Sequence, residues 1–381
     1  MQSKVKICII GPSYPFRGGI SHHTTLLFRV LKKKYTVRFF AFKRQYPKWL
    51  FPGKTDKDIS NIALKESETE NMLDSLNPWT WLNVAWKIRH ENPNLVIFPW
   101  WSSFWIPQFW TIATIIKIFS NIKILFLCHN VIEHESNGFS KMCTKWVLKK
   151  ANFFIVHSEE EKGNLLRMFP YAKVKQSFHP TYGIFNYRNF DSQEERRRLG
   201  LKSNVILFFG FIRKYKGLKY LIKAMPQILK NIHVTLLIVG EFWDDKEEYL
   251  KLIRKLKIEN WVKIIDKYVP NEEIGRYFNA ADLIVQPYIS ATGSGVIQLA
   301  YGFNKPVIAT KVGCLSEVVQ EGKTGYLVES ASIEPLAKAI VKFFREDKTK
   351  DFSKYIKNEN KKFSWDRIVE AIEALTGINN L

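Results

Sequence analysis

The chain of 381 residues has few cysteines, no long apolar run and no excess of acidic residues. Its four cysteines form no closely spaced pair, so the sequence indicates neither a disulfide framework nor a structural zinc site. Prolines, serines and a glutamine interrupt the most apolar stretch, between residues 95 and 119, and leave no run of about 20 apolar residues to span a bilayer. Charge interleaves with the first apolar residues, and we expect no signal peptide. These absences favour a reducing, cytoplasmic setting.

Basic and aromatic residues, in contrast, are abundant. The formal net charge is +22, and residues 1–180 carry 26 Lys and Arg, 12 Asp and Glu, and nine of the twelve tryptophans. Basic residues together with tryptophans suit an anionic membrane surface, but they also suit nucleic acid. A diffusely solvated basic surface is the third interpretation, and charge alone does not separate the three.

Short apolar runs alternate with amphipathic stretches along the chain, a pattern typical of parallel sheets built from β-α-β units. The first series ends near residue 180 and a second begins at Val205. We therefore expect two doubly wound domains that face each other across a cleft, at 1–180 and 204–362, with a linker at 181–203 and a terminal helix at 363–381. The predicted strands are 5–10, 37–42, 95–98, 124–128, 153–156, 173–177, 205–209, 234–239, 262–265, 283–286, 307–309 and 326–328.

Two loops of the first half follow predicted strands and carry residues suited to ligands. Gly18 and Gly19 open a helix whose first N–H groups can attract a phosphate or a sugar oxygen, and a tight turn is the alternative. His129 lies at the carboxyl edge of the predicted sheet, where open α/β folds bind ligands, and a structural histidine is the alternative.

A metal site near His129 is not expected from the sequence. His134, Glu133 and Glu135 follow closely, but two histidines five positions apart at a strand end do not converge as they would one turn apart on a helix.

The second half repeats this arrangement. Arg213 and Lys216 follow its first strand, and a guanidinium with an ammonium is a pair suited to a diphosphate. A later loop enters a helix through Ser294, Gly295 and Val296, whose backbone N–H groups can hold the same phosphates. A solvated charge run before a helix is the alternative for the basic pair.

Together these segments resemble glycosyltransferase family 4 over essentially the whole chain. The resemblance rests on the Gly18-Gly19 loop and on the segments CHNVIEHE, FGFIRKYKG, PYISATGSG, KPVIAT and GKTGYLV, in that order. It implies an α/β GT-B fold of two Rossmann-like domains, with a C-terminal helix crossing back to the first. It also implies a retaining, metal-independent transfer from a nucleoside-diphosphate sugar, with no cofactor.

The resemblance leads to definite expectations about partners. The acceptor is a glycan or a lipid-linked molecule in cell-surface polysaccharide or glycolipid synthesis, and the protein is peripheral on the inner face of the membrane. No nucleic acid is expected. A nucleotide-sugar epimerase of the same fold and a basic nucleic-acid-binding protein are the alternatives.

The basic pair departs from the family pattern. Phe211 stands where the family has an Arg, Lys216 matches the family's Lys, and Arg213 is the substitute for the missing Arg. We expect His129, Arg213 and Lys216 to be catalytic and no metal to be bound.

The donor-binding loop departs as well. Ala291 and Leu299 stand where the family has two glutamates, one for the sugar and one for the ribose. Thr292, Ser294 and Gln298 are the candidate replacements. The expected donor-binding residues are Gly18, Gly19, Arg213, Lys216, Thr292, Ser294, Gly295, Val296 and Gln298.

Overall fold

The computed structural model describes residues 5–47, 49, 51, 53, 55–132, 138–188 and 190–380. The chain divides into two compact units, each built on a parallel sheet. Unit 1 comprises the chain up to Ile59, Ala63–Phe178 and the segment from Trp365 onward. Unit 2 comprises Ser60–Ile62 and His179–Ser364.

The sheet of unit 1 has seven parallel strands in the order β3-β2-β1-β4-β5-β6-β7. Its centre is fully buried on both faces, as expected for a doubly wound sheet. The strands are β1 (Lys6–Gly11), β2 (Thr36–Arg44), β3 (Thr69–Asp74), β4 (Leu95–Trp100), β5 (Lys123–Cys128), β6 (Phe153–Val156) and β7 (Val174–Gln176).

The helices of unit 1 cover both faces of this sheet. Because side chains alternate along a strand, Cys8 and Ile10 pack in one apolar core while Ile7 and Ile9 pack in the other. Helices α2 to α5 cover the first core, and α1 and α14 cover the second. The helices are α1 (Gly19–Lys32), α2 (Pro78–Glu91), α3 (Ile106–Phe119), α4 (Gly138–Leu148), α5 (Glu159–Met168) and α14 (Trp365–Thr376).

Local sequence sets the ends of α2. The side chain of Asn77 accepts a hydrogen bond from the N–H of Trp79, and Pro78 is the first helical residue. Asn92 ends the helix in the left-handed conformation, with a φ of 44°. These are the residues from which the sequence predicts the two ends.

The tryptophan-rich stretch at residues 100–105 is largely core. Trp100 ends β4 and is 2% exposed, and Trp105 is fully buried. Trp101 and Phe104 pack against the same core. Their apolar area is removed from water by α3 and the sheet.

The sheet of unit 2 has six parallel strands in the order β10-β9-β8-β11-β12-β13. The strands are β8 (Asn204–Phe209), β9 (Val234–Val239), β10 (Val262–Ile265), β11 (Leu283–Gln286), β12 (Val307–Thr310) and β13 (Gly325–Val328). The helices are α6 (Ser192–Arg198), α7 (Leu218–Leu229), α8 (Lys246–Lys255), α9 (Asn271–Ala280), α10 (Gly295–Gly302), α11 (Leu315–Val318), α12 (Ile333–Arg345) and α13 (Thr349–Glu359).

The segment at 181–203, expected to be a linker, contains α6 and lies within unit 2. Arg196 of this helix forms a half-buried ion pair with Asp282 at 2.5 Å and donates to the carbonyl of Ala280. Asp282 in turn accepts from the N–H of Val205 at 2.8 Å, so the helix is joined to the start of β8 and β11.

The C-terminal helix α14 belongs to unit 1, as the resemblance implies. Ile368, Val369 and Ile372 are buried in the core that α1 also covers. Glu373 accepts hydrogen bonds from Tyr35 and Lys34 at 2.7 and 3.1 Å. Among the helices in the described ranges, none combines the length and the apolar character that crossing a membrane requires.

Candidate functional site

Lys216 lies at the carboxyl edge of the sheet of unit 2. After β8 the chain turns at Gly210, whose φ is 100°, and a 3₁₀ turn at Lys214–Lys216 folds back toward the strand. A β-carbon on Gly210 would lie 3.1 Å from Lys216 Nζ and 3.5 Å from Val296 Cγ2. The Lys216 ammonium is thus held between the end of β8 and the first turn of α10.

Gly217 fixes this turn against the loop that follows β11. Its φ is 70°, and a β-carbon there would lie 1.9 Å from the carbonyl oxygen of Pro287. Only glycine fits both the backbone conformation and the contact. The turn that carries Lys216 is therefore joined to the loop that leads to α10.

The ammonium of Lys216 is buried without a negative partner. Lys216 is 8% exposed, and no carboxylate pairs with it among the residues that the structure describes. Burial, and to a smaller extent the positive charge of Arg213, lower its pKa from 10.5 to about 8. Burying a cation without a counterion lowers the free energy of unfolding, because the charge loses its hydration. Groups with such shifted pKa values cluster at functional sites.

Arg213 stands at the start of the same 3₁₀ turn and is exposed. Its guanidinium lies 5.3 Å from the ring centroid of Tyr215 and 5.7 Å from that of Trp243. Trp243 also stacks on Phe211 with centroids 4.3 Å apart. Phe211 is therefore part of an aromatic cluster that supports the guanidinium of Arg213.

The loop at 287–294 presents the first turn of α10. Ser294 caps the helix by accepting a hydrogen bond from the N–H of Ile297 at 3.4 Å, and its hydroxyl lies 3.3 Å from that of buried Tyr288. The hydroxyl of Thr310 donates to the carbonyl of Tyr288 at 2.6 Å. The N–H groups of Gly295 and Val296 begin the helix, where a partial positive charge favours anions.

The candidate replacements for the family's glutamates differ in their surroundings. Thr292 is half-buried, and its carbonyl accepts from the N–H of Cys314 at 3.2 Å. Gln298 is 2% exposed, and its Oε1 has no hydrogen-bond partner within the described part of the chain. Ala291 is buried, with its carbonyl against Gly313. The Ser294 hydroxyl serves as a helix cap, and Thr292 and Gln298 stay the candidates for donor binding.

In unit 1 the glycine loop opens α1 as expected. Gly18 has a φ of 114° and precedes the first helical residue, Gly19. Apart from their chain neighbours and the backbone of α1, no atom of the described residues lies within 4 Å of a β-carbon placed on either glycine.

Hydrogen bonds hold the backbone around His129. Its N–H donates to the carbonyl of Trp100 at 2.8 Å, and the indole N–H of Trp100 donates to the carbonyl of Val131 at 3.3 Å. The N–H of Val131 donates to the buried carboxylate of Glu161, which also accepts from Asn164 at 2.9 Å. His129 itself is half-buried, so a fixed loop presents a side chain that solvent can reach.

Two further histidines lie beside His129. His23 of α1 is in edge contact with it at a centroid distance of 4.6 Å, and His157, which follows β6, is 4.9 Å away. Burial lowers the pKa of His157 to about 4, against the opposing effect of its hydrogen bond with the Ser177 carbonyl. Sequence spacing misses this group because its members are far apart in the chain. The available signal is that β5 and β6 are each followed directly by a histidine.

The structure thus brings together Lys216, Arg213 and the first turn of α10 in unit 2, and places Gly18, Gly19 and His129 in unit 1. Glu133, His134 and Glu135, which follow His129 closely and are not expected to bind a metal, lie outside the described residues.

The match to a protein family lies within unit 2. Residues 190–362 match the family model for glycosyl transferases group 1. The D-inositol 3-phosphate glycosyltransferase of Corynebacterium diphtheriae is 26% identical over 263 residues, 64% of this chain and 60% of that protein. The corresponding protein of Corynebacterium urealyticum is 22% identical and is matched over 79% of this chain and 70% of its own length. The chain spans less than two thirds of the first of these relatives.

Solved structures identify the fold. A glycosyltransferase from Rickettsia africae superposes with a TM-score of 0.74 at 20% identity, over 99% of both chains. The Anabaena protein HepE, solved in complex with UDP-glucose, gives a TM-score of 0.72 at 18% identity over 97% of this chain and 99% of its own. The predicted α/β fold of GT-B type, with two Rossmann-like domains, is confirmed, and the sequence matches support a glycosyltransferase.

Proposed function

We propose that the chain is a retaining glycosyltransferase of family 4 that moves a sugar from a nucleoside-diphosphate sugar to a glycan or lipid-linked acceptor. The observation that carries this proposal is the buried ammonium of Lys216 beside the first turn of α10, with which no carboxylate of the described residues pairs. Such a cation gains a partner only when an anion binds. The complex of HepE with UDP-glucose supports a nucleotide-sugar donor and makes UDP-sugars the first to test.

The chemistry follows from charge. When the anomeric bond breaks, negative charge develops on the β-phosphate of the leaving nucleoside diphosphate. Lys216, Arg213 and the N–H groups of Gly295 and Val296 can stabilise that charge without a metal at the diphosphate. Groups held in place before the reaction need not reorganise during it, which is the main source of their effect.

Retention places the acceptor hydroxyl on the face of the sugar that the phosphate leaves. The departing phosphate oxygen can then take the acceptor proton, and no protein base is required. We propose that His129 forms part of the wall that faces the sugar, while Thr292 and Gln298 take the place of the family's glutamates in donor binding.

The membrane part of the proposal rests on the outer surface of α2, α3 and α4. Helix α3 contacts both α2 and α4, and their inner sides pack on the sheet. Their outer sides expose large apolar side chains, here called the aromatic face: Trp79, Trp86, Trp110, Ile118, Phe119, Phe139, Met142 and Trp146.

Basic residues lie within the aromatic face. Arg89 lies 5.1 Å from the ring centroid of Trp86, and Lys150 lies 5.6 Å from that of Trp110. Exposed Lys141 and Lys145 belong to α4. Aromatic rings insert at the lipid interface and each cation near an anionic surface adds about 1 kcal/mol, so we propose that this face docks on an anionic membrane.

Sedimentation with liposomes tests the docking. We expect recovery with anionic vesicles at low salt and a loss at high salt or with neutral vesicles. The double variant Trp110→Ser, Trp146→Ser should sediment less, while Tyr171→Ser, which changes an exposed aromatic residue outside the face, should not. Equal recovery with neutral and anionic vesicles, or no recovery with either, would refute the proposal that this face docks on a membrane.

The activity is tested by incubating the protein with labelled UDP-, GDP- and ADP-sugars, with and without extracted lipid acceptors, and analysing the products. Label moving to an acceptor with retained anomeric configuration supports the proposal. Epimerised donor without transfer would indicate the epimerase instead.

A further inference from the structure

His23, His129 and His157 form a compact group in unit 1. One ring nitrogen from each can be chosen so that all three lie within 4.8 Å of one another. His23 and His157 are buried and His129 is half-buried. His23 comes from α1, which covers one face of the sheet, and His129 and His157 come from the loops after β5 and β6 at its carboxyl edge.

The surroundings of His157 fix which of its nitrogens can bind a ligand. Its Nδ1 lies 2.8 Å from the carbonyl oxygen of Ser177. Since a carbonyl only accepts hydrogen bonds, Nδ1 carries the proton and Nε2 keeps its lone pair. A histidine whose second nitrogen donates to a backbone carbonyl is the usual arrangement of a metal-ligating histidine.

The composition of the group selects the kind of ion. In the described ranges the group is made of imidazoles alone, with no carboxylate or thiol. Imidazole suits zinc, copper, nickel and cobalt, whereas magnesium and calcium require oxygen ligands. Tetrahedral binding at ~2.0 Å separates ligand nitrogens by about 3.3 Å. A separation of 4.8 Å between two ring nitrogens therefore has to shorten by about 1.5 Å when the ion binds.

We propose that His23, His129 and His157 bind one divalent transition-metal ion of the zinc class. Three protein ligands leave a fourth position of a tetrahedral ion open, which a water molecule fills. Trp365 of α14 packs on His23 with ring centroids 5.0 Å apart, so the C-terminal helix encloses one side of the site. The proposed diphosphate-binding groups belong to unit 2, whereas His129 is shared between this site and the proposed wall that faces the sugar.

The test uses untagged protein stripped with a chelator and then dialysed against zinc or cobalt, with the bound metal measured by elemental analysis. We expect one ion per chain and, with Co²⁺, the visible absorption bands of a tetrahedral site. His129→Gln should weaken Zn²⁺ binding at least about 100-fold, since losing even a residue that only supports a ligand costs 10–100-fold. His90→Gln, which changes an exposed histidine of α2, is the matched control and should bind like the wild type.

His23→Phe tests the second ligand, and circular dichroism verifies that each variant is folded. If a variant does not fold, the Co²⁺ spectrum of the wild type still decides the question. Stripped protein that takes up no ion at micromolar Zn²⁺, an octahedral Co²⁺ spectrum, or binding unchanged in folded His129→Gln would each overturn the proposal. None of these measurements depends on transfer activity, so the site and the glycosyltransferase proposal can fail separately.

Discussion

Replacing Lys216 with methionine should make the protein more stable and less able to bind a nucleoside diphosphate. Methionine keeps an unbranched apolar stem but removes the buried charge. Burial and Arg213 lower the pKa of Lys216 from 10.5 to about 8 in the folded protein. Because a tenfold change in proton affinity is worth about 1.4 kcal/mol, holding the charged form in the fold costs roughly 3 kcal/mol.

The sign of the pH dependence follows from linkage. A lowered pKa means that the unfolded chain binds more protons than the folded protein between pH 8 and 10.5. The cost of charging Lys216 is therefore fully present below pH 8 and is relieved as the pH rises through that window. At pH 7 we expect Lys216→Met to raise the free energy of unfolding by up to about 3 kcal/mol, and to raise the melting temperature by several degrees.

Nucleotide binding and turnover should decrease in Lys216→Met, although its stability increases. Losing a charged contact at the developing phosphate charge costs about 3 kcal/mol of barrier, or on the order of 100-fold in turnover. Scanning calorimetry measures the stability, and a titration with UDP together with the transfer assay measures the function. Lys214→Met is the matched control: it removes an exposed charge from the same turn and should change stability by less than about 0.5 kcal/mol.

A Lys216→Met protein that is less stable than the wild type at pH 7 would refute the argument that this charge is held without a partner. A variant with unchanged UDP affinity and turnover would refute its assignment to the diphosphate.

Three further predictions concern the protonation of Lys216 and the roles of His129 and Glu161. UDP binding should take up a proton above pH 8, because the bound diphosphate restores the charge of Lys216, and calorimetry in buffers of different ionisation enthalpy should detect this uptake in the wild type and not in Lys216→Met. His129→Ala should lower turnover much more than UDP affinity, and equal losses in the two would make His129 a structural residue. Glu161→Ala should lower the melting temperature, because it leaves the buried N–H of Val131 without its acceptor at a cost of about 1–3 kcal/mol, and an unchanged melting temperature would contradict that role for the carboxylate.

Regular structure was predictable where apolar residues are buried. The predicted strands at 153–156, 234–239, 262–265 and 283–286 have the bounds of β6, β9, β10 and β11. Strand β3 was missed because its sequence, TENMLD, is polar, and only Leu73 within it is fully buried. Strand β3 forms because its backbone hydrogen bonds to β2 at the edge of the sheet. The pattern of apolar residues in the sequence does not reveal that pairing.

The sequence predicts which residues belong to the candidate site, but it does not predict how deeply they are buried or what they contact. The sequence indicates that Lys216 follows a strand, but its burial depends on turns at Gly210 and Gly217 that pack it against α10. The group of His23, His129 and His157 depends on three separate elements meeting at one sheet edge. Local spacing describes neighbours in the chain, so it could not reveal that group.

The proposed function requires that the Lys216 turn and the first turn of α10 hold the donor diphosphate. A crystal structure of the protein with UDP tests it directly. We expect a β-phosphate oxygen about 3 Å from Lys216 Nζ and from the N–H groups of Gly295 and Val296, with Arg213 turned toward the same phosphate. A diphosphate bound elsewhere, with Lys216 still buried and unpaired, would contradict it.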